Sequence, residues 1–170
     1  MNDEKSMYRL AAQLHRCVEH FLIYKAIKGK IASIIELDKR EFLVMTSDAN
    51  LEMFFMIFCQ IFGSAKNNSL HYERFIDRID FIEKLQDVYG VTEDEFKKYE
   101  KEAKDFRNMF VAHADEYEYP VPLTKNAINA IISLDRIMKE YDPNVFGTIE
   151  AYLEVSQNKY DMYIQMILEG

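Results

Sequence analysis

The residues best suited to chemistry in this sequence lie close together, in the segment RNMFVAH that covers residues 107–113. Arginine is always charged and can clamp a phosphate, asparagine is a neutral hydrogen-bonding group, and histidine titrates near neutral pH. Together, Arg107, Asn108 and His113 could bind an RNA phosphodiester and cleave it without a metal ion. The same residues could also be a structural coincidence at the end of a core helix.

Cleavage of RNA at its own 2′-hydroxyl requires only three kinds of group. A base takes the hydroxyl proton, a cation or hydrogen-bond donor stabilises charge on the phosphate, and an acid protonates the leaving oxygen. His113 could be the base or the acid, and Arg107 could hold the non-bridging oxygens. Asn108 could orient the ribose, the phosphate or the imidazole of His113.

A helix must position these side chains, and its start has a clear signal in the sequence. Thr92 and Glu95 form a T-x-x-E capping box, followed by apolar residues at helical spacing. On such a helix, positions 107 and 113 are about 120° apart around the axis and about 9 Å apart along it. One straight helix therefore does not aim both at the same atom. Either the helix is irregular near Val111, or two copies of the chain pool their residues in a homodimer.

Structural explanations for the same residues stay open. His113 continues the apolar stripe of Phe106 and Met109, so it could be a hydrogen-bonded core histidine. Arg107 could form an ordinary ion pair, for example with Glu102.

The remaining sequence predicts an all-α fold. Only 5 Gly and 3 Pro leave too few turn residues for a many-stranded β architecture. Apolar periodicity and capping residues predict a single-domain antiparallel bundle of five to six helices over residues 1–170. The expected helices run from Asn2 or Asp3 to between Gly29 and Ile35, from about Asp38 to Phe62, from Leu70 to Tyr89, from Thr92 through His113, from Thr124 to Asp142-Pro143, and from a cap at Thr148 to about Leu168.

Composition restricts the partners and the compartment. A net charge of −8 argues against a broad, non-specific nucleic-acid surface, but it leaves room for a small RNA site or a basic partner. Cys17 and Cys59 lack zinc spacing and are typical of buried thiols in a cytosolic protein, and no signal peptide is evident. The apolar run Leu51–Phe62 is interrupted by Glu52 and Gln60 and is too short to span a bilayer. These features predict a cytoplasmic protein without membrane contact.

Other polar groups in the sequence are better explained as structural. His15 and His20 are five residues apart and miss the i, i+4 spacing of a helical metal pair. His71 lies at a loop–helix junction, where a local structural role is expected. The acidic residues of segment 115–118 are typical of a solvated loop, and nothing resembles a phosphate-binding glycine loop. We therefore expect no metal site and no cofactor.

The segment FRNMFVAHAD contains the pattern R-N-x4-H and resembles the R-x4-6-H signature of the HEPN superfamily. The AHAD ending and the segment FGSAKNNSLH after a long apolar helix are similar to its abortive-infection-type branch. The resemblance implies a metal-independent endoribonuclease that acts as a dimer, of the kind that serves as a toxin or an antiphage defence effector. It assigns the family's catalytic arginine to Arg107, its adjacent polar residue to Asn108 and its histidine to His113.

One departure from the family affects the expected regulation. In the branch controlled by a nucleotidyltransferase antitoxin, a tyrosine lies two residues after the histidine, whereas this sequence has Asp115 there. Tyr117 and Tyr119 lie close by. The presence of Asp115 argues against regulation by nucleotidylation of a tyrosine at this position. An antitoxin or a regulatory protein is still an expected partner, but the sequence does not identify a residue that it would modify. The alternative function is a non-catalytic helical interaction or regulatory module of the same fold.

Overall fold

A computed structural model of the chain describes residues 4–63, 68–112 and 120–169, apart from the side chains of residues 110–112. These residues form six α-helices and a short 3₁₀ turn, and no β-strand occurs among them. The all-α bundle of five to six helices is thereby confirmed. The helices are α1 (Glu4–Ile31), α2 (Leu37–Phe62), α3 (Arg78–Tyr89), α4 (Glu93–Ala112), α5 (Thr124–Tyr141) and α6 (Ile149–Glu169), and the 3₁₀ turn is Tyr72–Arg74.

Contacts between the helices define their relative directions. Helices α1 and α2 are antiparallel, because His20 Nδ1 contacts Asn50 Oδ1 at 2.8 Å and the Cys17 thiol donates to the Phe54 carbonyl at 3.3 Å. Helix α6 instead runs in the same direction as α1. His15 Nε2 meets Thr148 Oγ1 at the start of α6, and further along Tyr160 donates to Glu19 at 2.7 Å.

Helix α2 supplies much of the aromatic part of the core. By length and composition alone, Leu37–Phe62 could cross a membrane, a test that the core helix of a folded bundle also passes. Its second half has the burial expected of such a core helix, because most of its apolar side chains are packed inside the protein. Those with almost no exposed surface are Leu51, Phe54, Phe55, Ile57, Phe58, Cys59, Ile61 and Phe62.

The third helix starts later than the sequence predicts. Leu70 is not helical, the His71 side chain accepts from the Glu73 amide to support a separate 3₁₀ turn, and α3 begins only at Arg78. Its N-cap is Asp77, whose carboxylate accepts from the Ile79 amide at 2.7 Å. Ile79, in the first turn of α3, is 66% exposed. The buried face of α3 is formed by Phe81, Ile82 and Leu85.

Two helix starts show how capping operates in this chain. The predicted capping box of α4 is present: the Thr92 amide donates to Glu95 at 2.8 Å, and the Glu95 amide donates to the Thr92 hydroxyl at 3.4 Å. At the start of α6, buried Asp135 of α5 accepts from the Gly147 and Ile149 amides at 2.9 and 3.0 Å. The Thr148 hydroxyl, predicted as this cap, contacts His15 instead.

Candidate functional site

Helix α4 presents the candidate site, and its apolar face fixes its position against α2. The apolar residues at helical spacing that follow the capping box are buried, namely Phe96, Tyr99, Ala103 and Phe106. Their rings meet the aromatic residues of α2 in reverse order: Phe96 contacts Phe62, Tyr99 contacts Phe58, and Phe106 contacts Phe55, with ring centroids 6.0, 5.7 and 4.8 Å apart. The two helices are therefore antiparallel, and this packing turns Arg107 and Asn108 away from the aromatic core.

The structure brings together two of the three predicted site residues. Arg107 is half-buried and donates from both Nε and Nη2 to the side-chain oxygen of exposed Asn108, at 3.2 and 2.8 Å. Within the described parts of the chain, no carboxylate oxygen lies within 4.0 Å of the Arg107 guanidinium, so the alternative ion pair with Glu102 is not formed there. The Nε–Nη2 edge of the guanidinium, which could donate two hydrogen bonds to a phosphate, donates both to a neutral amide oxygen.

The third residue of the motif, His113, lies outside the described residues, as do Asp115, Tyr117 and Tyr119. Helix α4 is described as far as Ala112, the residue immediately before His113. The approach of His113 to Arg107, and its role as base or acid, therefore stay predictions.

Arg107 also has an electrostatic effect on the side of α4 that faces α2. Burial raises the pKa of the Cys59 thiol to about 11, and the positive charges of Arg107 and Lys104 act in the opposite direction. Burial likewise raises the pKa of the Cys17 thiol well above its ordinary value. Both cysteines are free and buried, as predicted. Their thiols are protonated at neutral pH and are poor nucleophiles.

A polar cluster at the other end of α4, around Arg78, is not evident from the sequence. Arg78 at the start of α3 donates to Glu100 of α4 at 3.1 Å, to Glu73 of the 3₁₀ turn at 3.1 Å and to the Tyr72 hydroxyl at 2.9 Å. Its Nε lies 3.5 Å from Glu93 at the start of α4. Burial raises the pKa of Glu100, while the hydrogen bond from Arg78 and its charge lower it. This cluster fixes α4 to α3 and to the turn before it.

The described histidines form contacts within the bundle. His15 lies edge-on to Tyr152 at 5.2 Å and contacts Thr148, and His20 contacts Asn50. His71 is buried beside the Gly63 carbonyl, and burial lowers its pKa. No group of three or more potential metal-ligating side chains occurs within the described ranges.

In comparisons with family models, curated proteins and solved structures, the chain matches none. Its relation to the HEPN superfamily therefore stays a prediction from the motif.

Proposed function

We propose that this protein is a metal-independent endoribonuclease of the toxin or antiphage-defence type, with Arg107, Asn108 and His113 as its site. The observation that best supports the proposal is the hydrogen-bonding state of Arg107. A guanidinium held by a neutral amide can exchange this partner for a phosphate, because the negative charge of the phosphate and the spacing of its oxygens favour a bidentate pair with arginine. An arginine already paired with a carboxylate would lose a charged partner in the same exchange.

The proposed reaction follows from the chemistry of RNA. A base removes the proton of the ribose 2′-hydroxyl, and the 2′-oxygen attacks the adjacent phosphorus. The bond from phosphorus to the 5′-oxygen breaks as an acid protonates this oxygen, so the products are a 2′,3′-cyclic phosphate and a 5′-hydroxyl end. Arg107 stabilises the negative charge on the non-bridging oxygens, and His113 transfers a proton at the 2′- or the 5′-oxygen. Asn108, released from Arg107, orients the ribose or the phosphate. Single-stranded RNA is the proposed substrate because its backbone can reach the in-line geometry that this attack needs.

A second copy of the chain is the proposed partner, and the outer face of α2 supports an interface. Large apolar residues recur there at helical spacing, and four are exposed: Phe42 by 64%, Met45 by 72%, Met53 by 38% and Met56 by 39%. With about 200 Å² for each large side chain, they expose on the order of 400 Å², as large as the main apolar patch of many monomers. The small residue Ala49 lies between them and would let two helices approach closely.

The position of this face relative to Arg107 fits a shared site. The charge of Arg107 acts on Cys59, which follows Met56 by three residues on α2. Two copies of α2 that cross near Met53 and Met56 would bring the two Arg107 side chains towards each other. Sedimentation velocity tests the interface. Met53→Lys with Met56→Lys should give monomers, whereas the matched pair Met162→Lys with Met166→Lys on exposed positions of α6 should leave the dimer intact.

The decisive experiment for the function measures RNA cleavage directly. Purified protein is incubated with mixed-sequence RNA in EDTA, next to Arg107→Ala, Asn108→Ala and His113→Ala. We expect products with 5′-hydroxyl ends and no cleavage at 2′-deoxy positions. The arginine and histidine variants should lose activity by at least about 100-fold. Wild-type protein without cleavage, or equal cleavage by all variants, would contradict the proposal and leave the non-catalytic interaction module.

A further inference from the structure

Helix α4 carries a row of cations that leads to Arg107. Lys97, Lys101 and Lys104 recur at i, i+4 and i+7, so they lie within about 60° of one another around the helix, and Arg107 lies about 60° further round. From Lys97 to Arg107 the row extends about 15 Å along the helix axis. We call these four residues the α4 basic ridge. In a chain with a net charge of −8, it is a local concentration of positive charge.

The ridge is open to solvent and only partly neutralised. Lys97 and Lys101 are exposed, and Lys104 is half-buried like Arg107. Lys97 forms an ion pair with Glu93 at 2.9 Å. For Lys101 and Lys104, no carboxylate oxygen within the described ranges comes closer than 4.0 Å. Most of the row can therefore accept an anionic partner without breaking an existing ion pair.

The other exposed side of α4 provides a contrast within the same helix. Lys98 follows Lys97 directly in sequence but lies about 100° away around the helix. Its side chain is 80% exposed and lies 3.9 Å from Glu102 in an i, i+4 pair. Glu95 lies on this side too and is used by the capping box. Glu93 and Glu100 also lie on the side of α4 that carries the ridge, but they are already paired with Lys97 and Arg78. Among the described residues of α4, the positive charges without a paired carboxylate therefore lie on this side, which includes Arg107.

We propose that the α4 basic ridge binds the backbone phosphates of single-stranded RNA and leads the strand to Arg107. This inference rests on the proposed function, because it takes Arg107 as the residue that holds the reacting phosphate. The three lysines extend over about 10 Å, enough for roughly two to three phosphates at 3.4 Å or more per nucleotide. A single row of cations fits one extended strand, and it offers no apolar residues for insertion into a membrane.

The binding test uses an RNA that cannot be cleaved. Fluorescence anisotropy measures the affinity of a labelled, mixed-sequence 2′-O-methyl RNA for wild-type protein and for the single variants Lys97→Gln, Lys101→Gln and Lys104→Gln. Lys98→Gln is the matched control, since it removes the same charge from the same helix outside the ridge. At 0.1 M salt, each ridge variant should bind about fivefold more weakly, because loss of one phosphate contact lowers the salt exponent by about 0.7.

A salt series adds a second readout. The slope of log Kd against log salt should fall by about 1.4 in Lys101→Gln with Lys104→Gln and should stay unchanged in Lys98→Gln. Equal losses of RNA affinity in the ridge variants and in Lys98→Gln would overturn the proposal that the ridge binds RNA, because the effect would then come only from net charge. The choice of RNA would be wrong if wild-type protein bound no RNA, or bound duplex DNA but not the single strand.

Cleavage of unmodified RNA by the same variants separates the two proposals. If wild-type protein cleaves RNA and the ridge variants match Lys98→Gln in binding and cleavage, the RNA-binding role of the ridge is wrong, whereas the proposed ribonuclease function is supported. If RNA binds through the ridge lysines and no cleavage occurs, the ridge is supported and the ribonuclease is wrong.

Discussion

Replacement of Arg78 tests how α4, and with it the candidate site, is held in place. Arg78→Met removes the counter-ion of Glu100, a residue that is only 8% exposed. A buried charge that loses its partner typically lowers the free energy of unfolding by about 3–5 kcal/mol. We expect the lower end, about 3 kcal/mol, because the Arg78 side chain is 25% exposed. The other two carboxylates, Glu73 and Glu93, are more exposed and should add little.

A double-mutant cycle isolates this interaction. Glu100→Met alone should cost about 1 kcal/mol, since Arg78 keeps its contacts with Glu73 and Glu93. The double variant should cost less than Arg78→Met alone, because two apolar side chains replace the buried pair. Urea unfolding followed by circular dichroism gives the free energies. In thermal melts, the loss in Arg78→Met corresponds to about 6–12 °C in Tm for a chain of this size.

The pH dependence of the same variant has a defined sign. Burial already raises the pKa of Glu100, and loss of Arg78 removes the two largest influences that lower it. A carboxyl whose folded pKa lies above its unfolded value destabilises the fold when ionised, and protonation relieves this cost as pH falls through the folded pKa. The deficit of Arg78→Met should therefore be smaller at pH 5 than at pH 7.5. A deficit below 1 kcal/mol, or one that grows at low pH, would refute the buried-pair explanation.

Three further predictions concern buried groups elsewhere in the bundle. Asp135→Ala should lower the free energy of unfolding by about 2–4 kcal/mol in urea titrations, because two backbone amides at the start of α6 lose a charged acceptor, whereas Asp135→Asn should cost less. Because the pKa of His71 is lowered in the folded protein, the unfolded chain binds the proton first as the pH decreases. The free energy of unfolding should therefore decrease as the pH drops below about 6.5, and His71→Gln should remove this part of the pH dependence. Cys17 and Cys59 should resist alkylation at pH 8 and react in urea; rapid labelling of the native protein would contradict their burial.

Features set by neighbouring residues in the chain were predictable from the sequence. The box formed by Thr92 and Glu95 marks the start of α4, and the apolar spacing from Phe96 to Phe106 identifies its buried face. Both depend only on helix geometry and on contacts over one or two turns. The prediction of Arg107 and Asn108 as neighbouring polar groups on this helix is of the same kind.

Features that depend on contacts between distant segments were not predictable in this way. Asp135 caps α6 from the preceding helix, which no pattern around Thr148 reveals. The late start of α3 arises from His71 and Asp77, two caps that divide an apparently continuous helical pattern. The partners of Arg78 come from three elements, so its role appears only when the fold brings them together.

The contact between Arg107 and Asn108 connects the fold to the proposed chemistry. Adjacent residues on a helix point about 100° apart, so the arginine side chain must bend round the helix surface to reach Asn108. This bend directs the guanidinium along the exposed side of α4, where Lys104 precedes it by one turn. A strand held by the lysines would therefore meet Arg107 with a phosphate already nearby, and exchange of the neutral amide for that phosphate would release Asn108 for a contact of its own. Asn108→Asp separates this role from a structural one: the carboxylate should pair with Arg107 and weaken RNA binding more than Asn108→Ala does, while the helix stays folded.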